Sequence, residues 1–228
     1  MSDGLNLVRT PPTHLFSQRP RILLADDHAL FTEALTKILE NDFEIVGTVP
    51  NGRLLLQQAP ILRPDVILLD LSMPLMNGSE AGRRLSVILP KTRIIVLTAS
   101  EDPSIASAAL QSWASGFVIK KAAAEELTQA IRRVLHGKKY VMPSLQHKLE
   151  DEFIRGDARS AEKQLTSRQR EVLQLLAEGY SMKEAANILA VAARTIAFHK
   201  YKIMDDLGLK TNADLLRLAI RERLMPTA

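Results

Sequence analysis

Asp26, Asp27, Asp70, Thr98 and Lys120 stand out first, because each lies at or just past the end of a short apolar run. If the chain folds so that those ends meet, three carboxylates share one place. At 4 Å such acids repel one another by about 1 kcal/mol per pair in water and about 4 kcal/mol at an effective dielectric of 20. A divalent cation relieves that repulsion, and a few hard oxygen ligands open to solvent favour Mg²⁺, which keeps waters and binds phosphate oxygens. A carboxylate there can attack phosphorus while the cation, a lysine and a hydroxyl stabilise the equatorial oxygens. Taken singly, each residue has a plainer role. Asp26 or Asp27 could cap a helix starting at His28, an Asp after a strand is commonly a turn residue, and Thr98 could be only a strand-end hydroxyl. Their joint placement is what points to chemistry.

The elements that must position these groups can be read from the runs themselves. RILLA (21–25), FEIVGTV (43–49), DVILLD (65–70), RIIVLT (93–98) and GFVIK (116–120) have the length and β-branched content of strands. Stretches at 28–40, 52–59, 78–89, 103–113 and 124–136 suit helices. Strands alternating with helices imply an α/β fold with a five-stranded, doubly wound parallel sheet, whose ligands bind at the carboxyl ends of the strands. Residues 1–19, with Pro11, Pro12 and small polar residues, are expected to form a disordered leader before a first domain over 20–140. A linker over 141–163 is expected to carry a short helix near 144–154. From 164 to 228 only helical signals remain: Thr166 ahead of RQREVLQLLAEG, Ser181 ahead of 182–189, a third helix from Arg194 to Leu207, and a fourth over 212–224.

The composition fits two domains, since 228 residues and 25.3 kDa exceed a typical small single domain. Hydrophobic residues at 46% and charged ones at 25% exclude wholesale disorder. No apolar run approaches the roughly 20 residues of a membrane helix, and the amino terminus has no signal core, so a cytoplasmic protein without a membrane partner is expected. Zero cysteines exclude disulfides and thiolate catalysis. The net charge of +4 points only weakly to an anionic partner, but its placement says more. From Gln164 onward ten Lys and Arg face seven Asp and Glu, and 194–202 holds Arg194, His199, Lys200 and Lys202 with no acid between them.

ADDH at 25–28, DLSMPLMNG at 70–78, LTAS at 97–100 and GFVIK at 116–120, in that order, resemble the receiver domain of bacterial two-component response regulators. The resemblance implies that Asp70 accepts a phosphoryl group from a sensor histidine kinase. It implies Mg²⁺ held by Asp27, Asp70 and the Ser72 carbonyl, with Asp26 acting through water. Thr98 would hydrogen-bond the phosphoryl group, Lys120 would pair with it, and Phe117 would turn inward when Thr98 moves. Lys121 competes with Lys120, but neighbours on a strand face opposite ways. His28 is read as a surface residue of the first helix. The family commonly has Gly where this chain has Trp113; a left-handed helix end there would strain a Trp, and the indole either modifies the switch face or covers apolar surface.

The order LTSRQREVLQLLAEGYSMKEAANILA, then RTIAFHKYKIMDDLGL, resembles the LuxR-type helix-turn-helix of NarL and FixJ response regulators. One basic helix fits the major groove while flanking cations neutralise phosphates. The resemblance implies phosphate contacts from Lys183, Arg194, Thr195 and Lys200 and base-edge contacts from Ala197, Phe198 and Tyr201, with His199 and Lys202 on the same DNA-binding helix. Ala190 and Ala192 stand where the turn usually has Gly and then Ser or Thr, which costs a cap and adds strain of about 1 kcal/mol each. Double-stranded DNA bound by a homodimer on two half-sites is expected, since one such domain makes few contacts. The chain is thus identified as a phosphorylation-controlled transcription regulator, not an enzyme beyond self-phosphorylation and autodephosphorylation. A DNA-binding regulator whose receiver fold works without phosphate is the alternative. A haloacid-dehalogenase-like phosphatase would need a second Asp where Ser72 stands.

Overall fold

The structure is a computed structural model that describes residues 19–122, 124–146, 148–149 and 165–225. The leader expected over 1–19 lies outside the described residues except for Arg19, as does the part of the expected linker from 150 to 163. The first domain runs β1 (Arg21–Ala25), α1 (Ala29–Leu39), β2 (Glu44–Val49), α2 (Gly52–Leu62), β3 (Val66–Leu69), α3 (Gly78–Ile88), β4 (Arg93–Thr98), α4 (Pro103–Ser112), β5 (Gly116–Ile119), α5 (Ala124–Leu135) and β6 (Tyr140–Val141). Residues 143–146 and 148–149 are helical (α6). The second domain holds α7 (Ser167–Ala177), α8 (Met182–Ile188), α9 (Ala193–Asp206) and α10 (Asn212–Arg221).

All strand pairs are parallel, in the order β2-β1-β3-β4-β5-β6. The central strands are apolar on both faces because helices cover both: Val66, Ile67, Leu68 and Leu69 of β3 are all buried. Ile22, Leu24, Val66 and Leu68 join Leu35, Leu127, Ile131 and Val134 of α1 and α5 on one face. Leu23, Ile67 and Leu69 join Leu55, Ala59, Ala81 and Leu85 of α2 and α3 on the other. The chain leaves β1 toward β2 on one side and toward β3 on the other, so the sheet reverses its winding between β1 and β3, and side chains just past those strands meet at the crevice.

Three sequence expectations need correction. The sheet has six strands rather than five, because Tyr140 and Val141 pair with Gly116 and Phe117; two residues are too few to show a period of two. The stretch expected to be linker from 141 onward begins inside the first domain, since Leu145 and Leu149 bury against Val96, Phe117 and Ile119. Helix α2 continues past Ala59 through Pro60 to Leu62, ending at Arg63 in a left-handed conformation (φ 46).

The second domain has two small cores. Leu173, Ile203, Leu215 and Leu218 fasten α7, α9 and α10, while Val172, Leu175, Ala185, Leu189 and Ile196 fasten α7, α8 and α9. Thr166, Ser181 and Thr211 each begin a helix with a reciprocal capping box. Helix α9 has no such cap: Ala192 offers no side-chain acceptor, and Ala190 sits at φ 51. Both departures read from the sequence are therefore present in the turn.

Candidate functional site

The acids do meet. Ligand atoms of Asp26, Asp27, His28 and Asp70 all lie within 4.8 Å of one another. Asp70 is held by its own strand end, its N–H donating to the Ala25 carbonyl at 2.8 Å, and is 3% exposed. The next turn packs hard against it: a Cβ on Gly78 would stand 2.0 Å from the Asp70 carbonyl oxygen, so glycine alone allows this approach. Lys120 bridges the acids, with Nζ 2.7 Å from Asp26 Oδ2 and 2.9 Å from Asp70 Oδ2, and 5.0 Å from the Phe31 ring centre. Burial pushes the Asp70 carboxyl above its ordinary value despite Lys120 beside it and a hydrogen bond from the Ser72 backbone. Burial works against the Lys120 charge too, but Asp26 and Asp70 outweigh it and hold the ammonium above the ordinary lysine value.

Thr98 is buried at the end of β4, where its hydroxyl accepts from the Ser100 N–H at 3.2 Å, and its carbonyl accepts from the Lys120 N–H at 2.8 Å. Lys121 points away and pairs with Glu101. Asp26 and Asp27 do not cap α1; His28 occupies the cap position without a capping bond. That histidine is on the surface as expected, its side chain 63% exposed, and it also places Nδ1 2.9 Å from Asp26 Oδ1 and 3.1 Å from Asp27 Oδ1 at the rim of the acid cluster. Phe117 is fully buried and packs with Ala106 and Ala109 of α4 and with Leu145 and Leu149. Trp113 ends α4 at φ −144, so no left-handed strain arises there. Its ring lies against Gly82 of α3, where a Cβ would meet it at 2.5 Å, and it packs with both the α2/α3 and the α4 core clusters.

The donors here are hard oxygens on a rigid strand edge, with the Ser72 backbone adjoining Asp70, and they suit Mg²⁺.

On α9 the expected DNA-reading residues lie around the helix on every side but the one that Ile196 and Ile203 bury. Arg194, Phe198, Tyr201 and Lys202 are exposed, and Thr195, Ala197, His199 and Lys200 half-buried, while Ile196 and Ile203 turn into the core. Phe198 and Tyr201 are 61% and 59% exposed, uncommon for aromatics unless they await a partner. Lys200 Nζ lies 5.7 Å from the Tyr201 ring centre. His199 is held below its ordinary value by burial and by the Arg168 guanidinium. Lys183 is exposed on α8.

Sequence reasoning missed the seam between the domains. Gln174 of α7, 1% exposed, accepts from the Asn77 N–H at 3.0 Å and the Asn77 side-chain amide at 3.1 Å, and donates to the Met73 carbonyl at 3.0 Å. Glu178 accepts from the Leu75 N–H at 3.2 Å. Arg84 of α3 reaches Glu171 of α7 at 3.1 Å. Glu171, Gln174 and Glu178 recur at helical spacing, but a polar stripe on a helix ordinarily signals solvent, so nothing in the sequence marks it as an interface.

A parallel sheet with clustered acids at its carboxyl edge, joined to a helical domain with an open basic helix, defines a receiver coupled to a DNA-binding unit. Residues 22–132 match the family described as the response regulator receiver domain, and residues 163–219 the bacterial regulatory proteins of the luxR family. The chain is similar to the oxygen regulatory protein NreC of Staphylococcus aureus (strain JH9), 36% identical over 214 residues covering 90% of this chain and 99% of that protein. It also resembles the RcsB response regulator of Salmonella typhimurium, 32% identical with a TM-score of 0.56, covering 88% of this chain and 98% of that one. A structure of the two-component response regulator RcsB bound to DNA matches at 30% identity and a TM-score of 0.55, covering 88% and 97%. The chain therefore belongs to the NarL-type response regulators, with a receiver domain and a LuxR-type helix-turn-helix. It is a two-component transcription regulator, and its family is one of regulators rather than enzymes. Among the described residues no helix is long and apolar enough to cross a membrane.

Proposed function

We propose that Asp70 is the phosphoacceptor and that its phosphorylation by a sensor histidine kinase controls DNA binding through α9. The observation that carries this reading is the buried Asp70 carboxylate at a strand end, bridged to Asp26 by Lys120 and adjoined by Asp27. Asp70 Oδ attacks the phosphorus of a kinase phosphohistidine; the new O–P bond forms as the N–P bond breaks, and its electron pair stays with the imidazole. Asp27, Asp70 and the Ser72 carbonyl would hold Mg²⁺ directly and Asp26 through water. When bound, that ion neutralises phosphoryl oxygens. Lys120 leaves its bridge to pair with the phosphoryl group, and Thr98 donates its hydroxyl to it. Phe117, buried against Ala106 and Ala109 of α4, would turn inward as Thr98 moves. The same pocket allows self-phosphorylation by small donors and slow hydrolysis.

Arg194, Thr195, Lys200 and Lys183 would contact DNA phosphates, with His199 and Lys202 alongside, and Ala197, Phe198 and Tyr201 would face base edges, apolar groups meeting thymine methyls. One structure of the RcsB relative holds two dimers bound to two parallel DNAs, which supports a homodimer of this chain on duplex DNA; we place that complex in the cytoplasm. The test is phosphorylation with acetyl phosphate. Wild type should form a Mg²⁺-dependent, hydroxylamine-labile phosphoprotein and Asp70→Asn none; equal labelling of the variant removes Asp70 as acceptor.

A further inference from the structure

We propose that the cleft lined by α3, α4, α7 and the end of α10 is a binding site for a small aromatic anion, a flat ring bearing a carboxylate or a phosphate, whose charge is met by Arg170 and Arg221. The inference goes beyond the phosphoacceptor reading and does not depend on it.

The cleft measures about 1050 Å³, ample for a molecule of that size. Its lining carries an unbalanced charge. Arg83, Arg170, Arg221 and Arg223 bring four guanidinium groups to it, and among the described residues Glu222 is the one lining acid, which leaves a surplus of three positive charges. Two of the four are engaged elsewhere, Arg83 with Glu80 and Arg223 with Asp102. Arg221 is exposed and, among the described residues, forms no ion pair.

Arg170 is the group that the fold leaves unsatisfied. Its Nε is buried without a hydrogen-bond partner, and the Glu80 carboxylate it approaches stands 3.8 Å away. Glu80 is already taken, by Arg84 at 2.8 Å and by Arg83 at 3.3 Å. The neighbouring acid, Glu171, is divided between Arg84 at 3.1 Å and Arg168 at 2.9 Å. Four arginines thus share two carboxylates, and Arg170 comes last. Burial and then the Arg83 charge hold its guanidinium below the ordinary arginine value, which Glu80 and Glu222 offset only in part. A buried donor without an acceptor is costly, and an anion entering from the cleft removes that cost.

The apolar part of the lining says what the anion carries. Trp113, half-buried, lines the cleft together with Ile105 and Leu218. A bare ion would leave that surface wet, whereas a flat ring covers it and can stack on the indole. Guanidinium groups suit the other end, because their planar fork matches a carboxylate or a phosphate. No residue of α9 lines the cleft, so this site is separate from the helix that reads DNA.

The test titrates benzoate, adenosine 5′-monophosphate and inorganic phosphate into the full-length chain, with EDTA present to keep metal from the acid pole. Calorimetry reads affinity, and the emission of Trp113, the sole tryptophan, reads location. At least one of the two aromatic anions should bind one per chain, change Trp113 emission, and bind at least tenfold more tightly than inorganic phosphate. Benzoate as the tighter probe names a simple aromatic acid, the monophosphate a nucleotide. Arg170→Met, which keeps the length of the buried stem, and Arg221→Ala, at an exposed position, should each weaken binding about 10- to 100-fold. Arg132→Ala removes a cation of α5 outside the cleft and should bind as wild type does. Failure of both aromatic anions to bind, inorganic phosphate binding as tightly as either, or affinity retained in both cleft variants overturns the proposal. Should Arg170→Met not fold, Arg221→Ala alone decides.

Discussion

Phe117 and Phe198 are the same side chain in opposite surroundings: one is fully buried behind the acid pole of the first domain, the other lies open on α9. The acid pole is assembled before any signal, with Lys120 closing Asp26 to Asp70, whereas the reading face of α9 keeps two large aromatics in solvent. With the domains docked through α7, the exposed reading helix shows that docking does not act by covering it.

The largest effects should come from exchanging the fates of the two phenylalanines. Phe117→Ala removes a buried ring and should lower first-domain stability by about 3–5 kcal/mol in denaturant unfolding. Phe198→Ala should leave stability within about 0.5 kcal/mol yet weaken DNA binding markedly; a large loss of stability there would mean that Phe198 is structural. A smaller gain is expected in the turn before α9. Ala192→Ser supplies the missing cap and should stabilise the second domain by about 1 kcal/mol, and Ala190→Gly relieves the positive φ by a few tenths to about 1 kcal/mol. Calorimetry should show these gains only in the second-domain transition.

The smallest effect concerns the edge of the sheet. The Tyr140 phenol is pushed up to about 12, first by burial and then by its hydrogen bond to Glu126. Its folded-state value lies above the unfolded one near 10, so the neutral phenol favours the fold fully below pH 10 and that contribution fades as pH rises toward 12. Ultraviolet titration should show one tyrosine ionising near 12, and Tyr140→Phe should remove that step; a titration unchanged by the variant would contradict it.

Much of the acid pole was legible because a strand end is a fixed place: once the runs before Asp26, Asp70, Thr98 and Lys120 are strands of one parallel sheet, their last residues must converge. Helices α7 and α8 announce themselves through Thr166 and Ser181, which do cap them. What stayed hidden depended on contacts between segments far apart in the chain. Tyr140 and Val141 give no pattern until β5 lies beside them. Gln174 is an ordinary polar residue of an amphipathic helix until Asn77 is seen 3.0 Å away. His28 is a surface residue as read, but that its ring turns back on the acids just before it is a local geometry that residue type does not specify.

The central claim is that the acid pole governs the reading helix. It is tested most directly by measuring affinity for a duplex selected from random sequence, with and without acetyl phosphate and Mg²⁺, for wild type and Asp70→Asn. The account predicts that affinity rises on treatment of wild type and that Asp70→Asn remains at the untreated level. An equal rise in both proteins, or none in a wild type shown to carry the phosphoryl group, would contradict it.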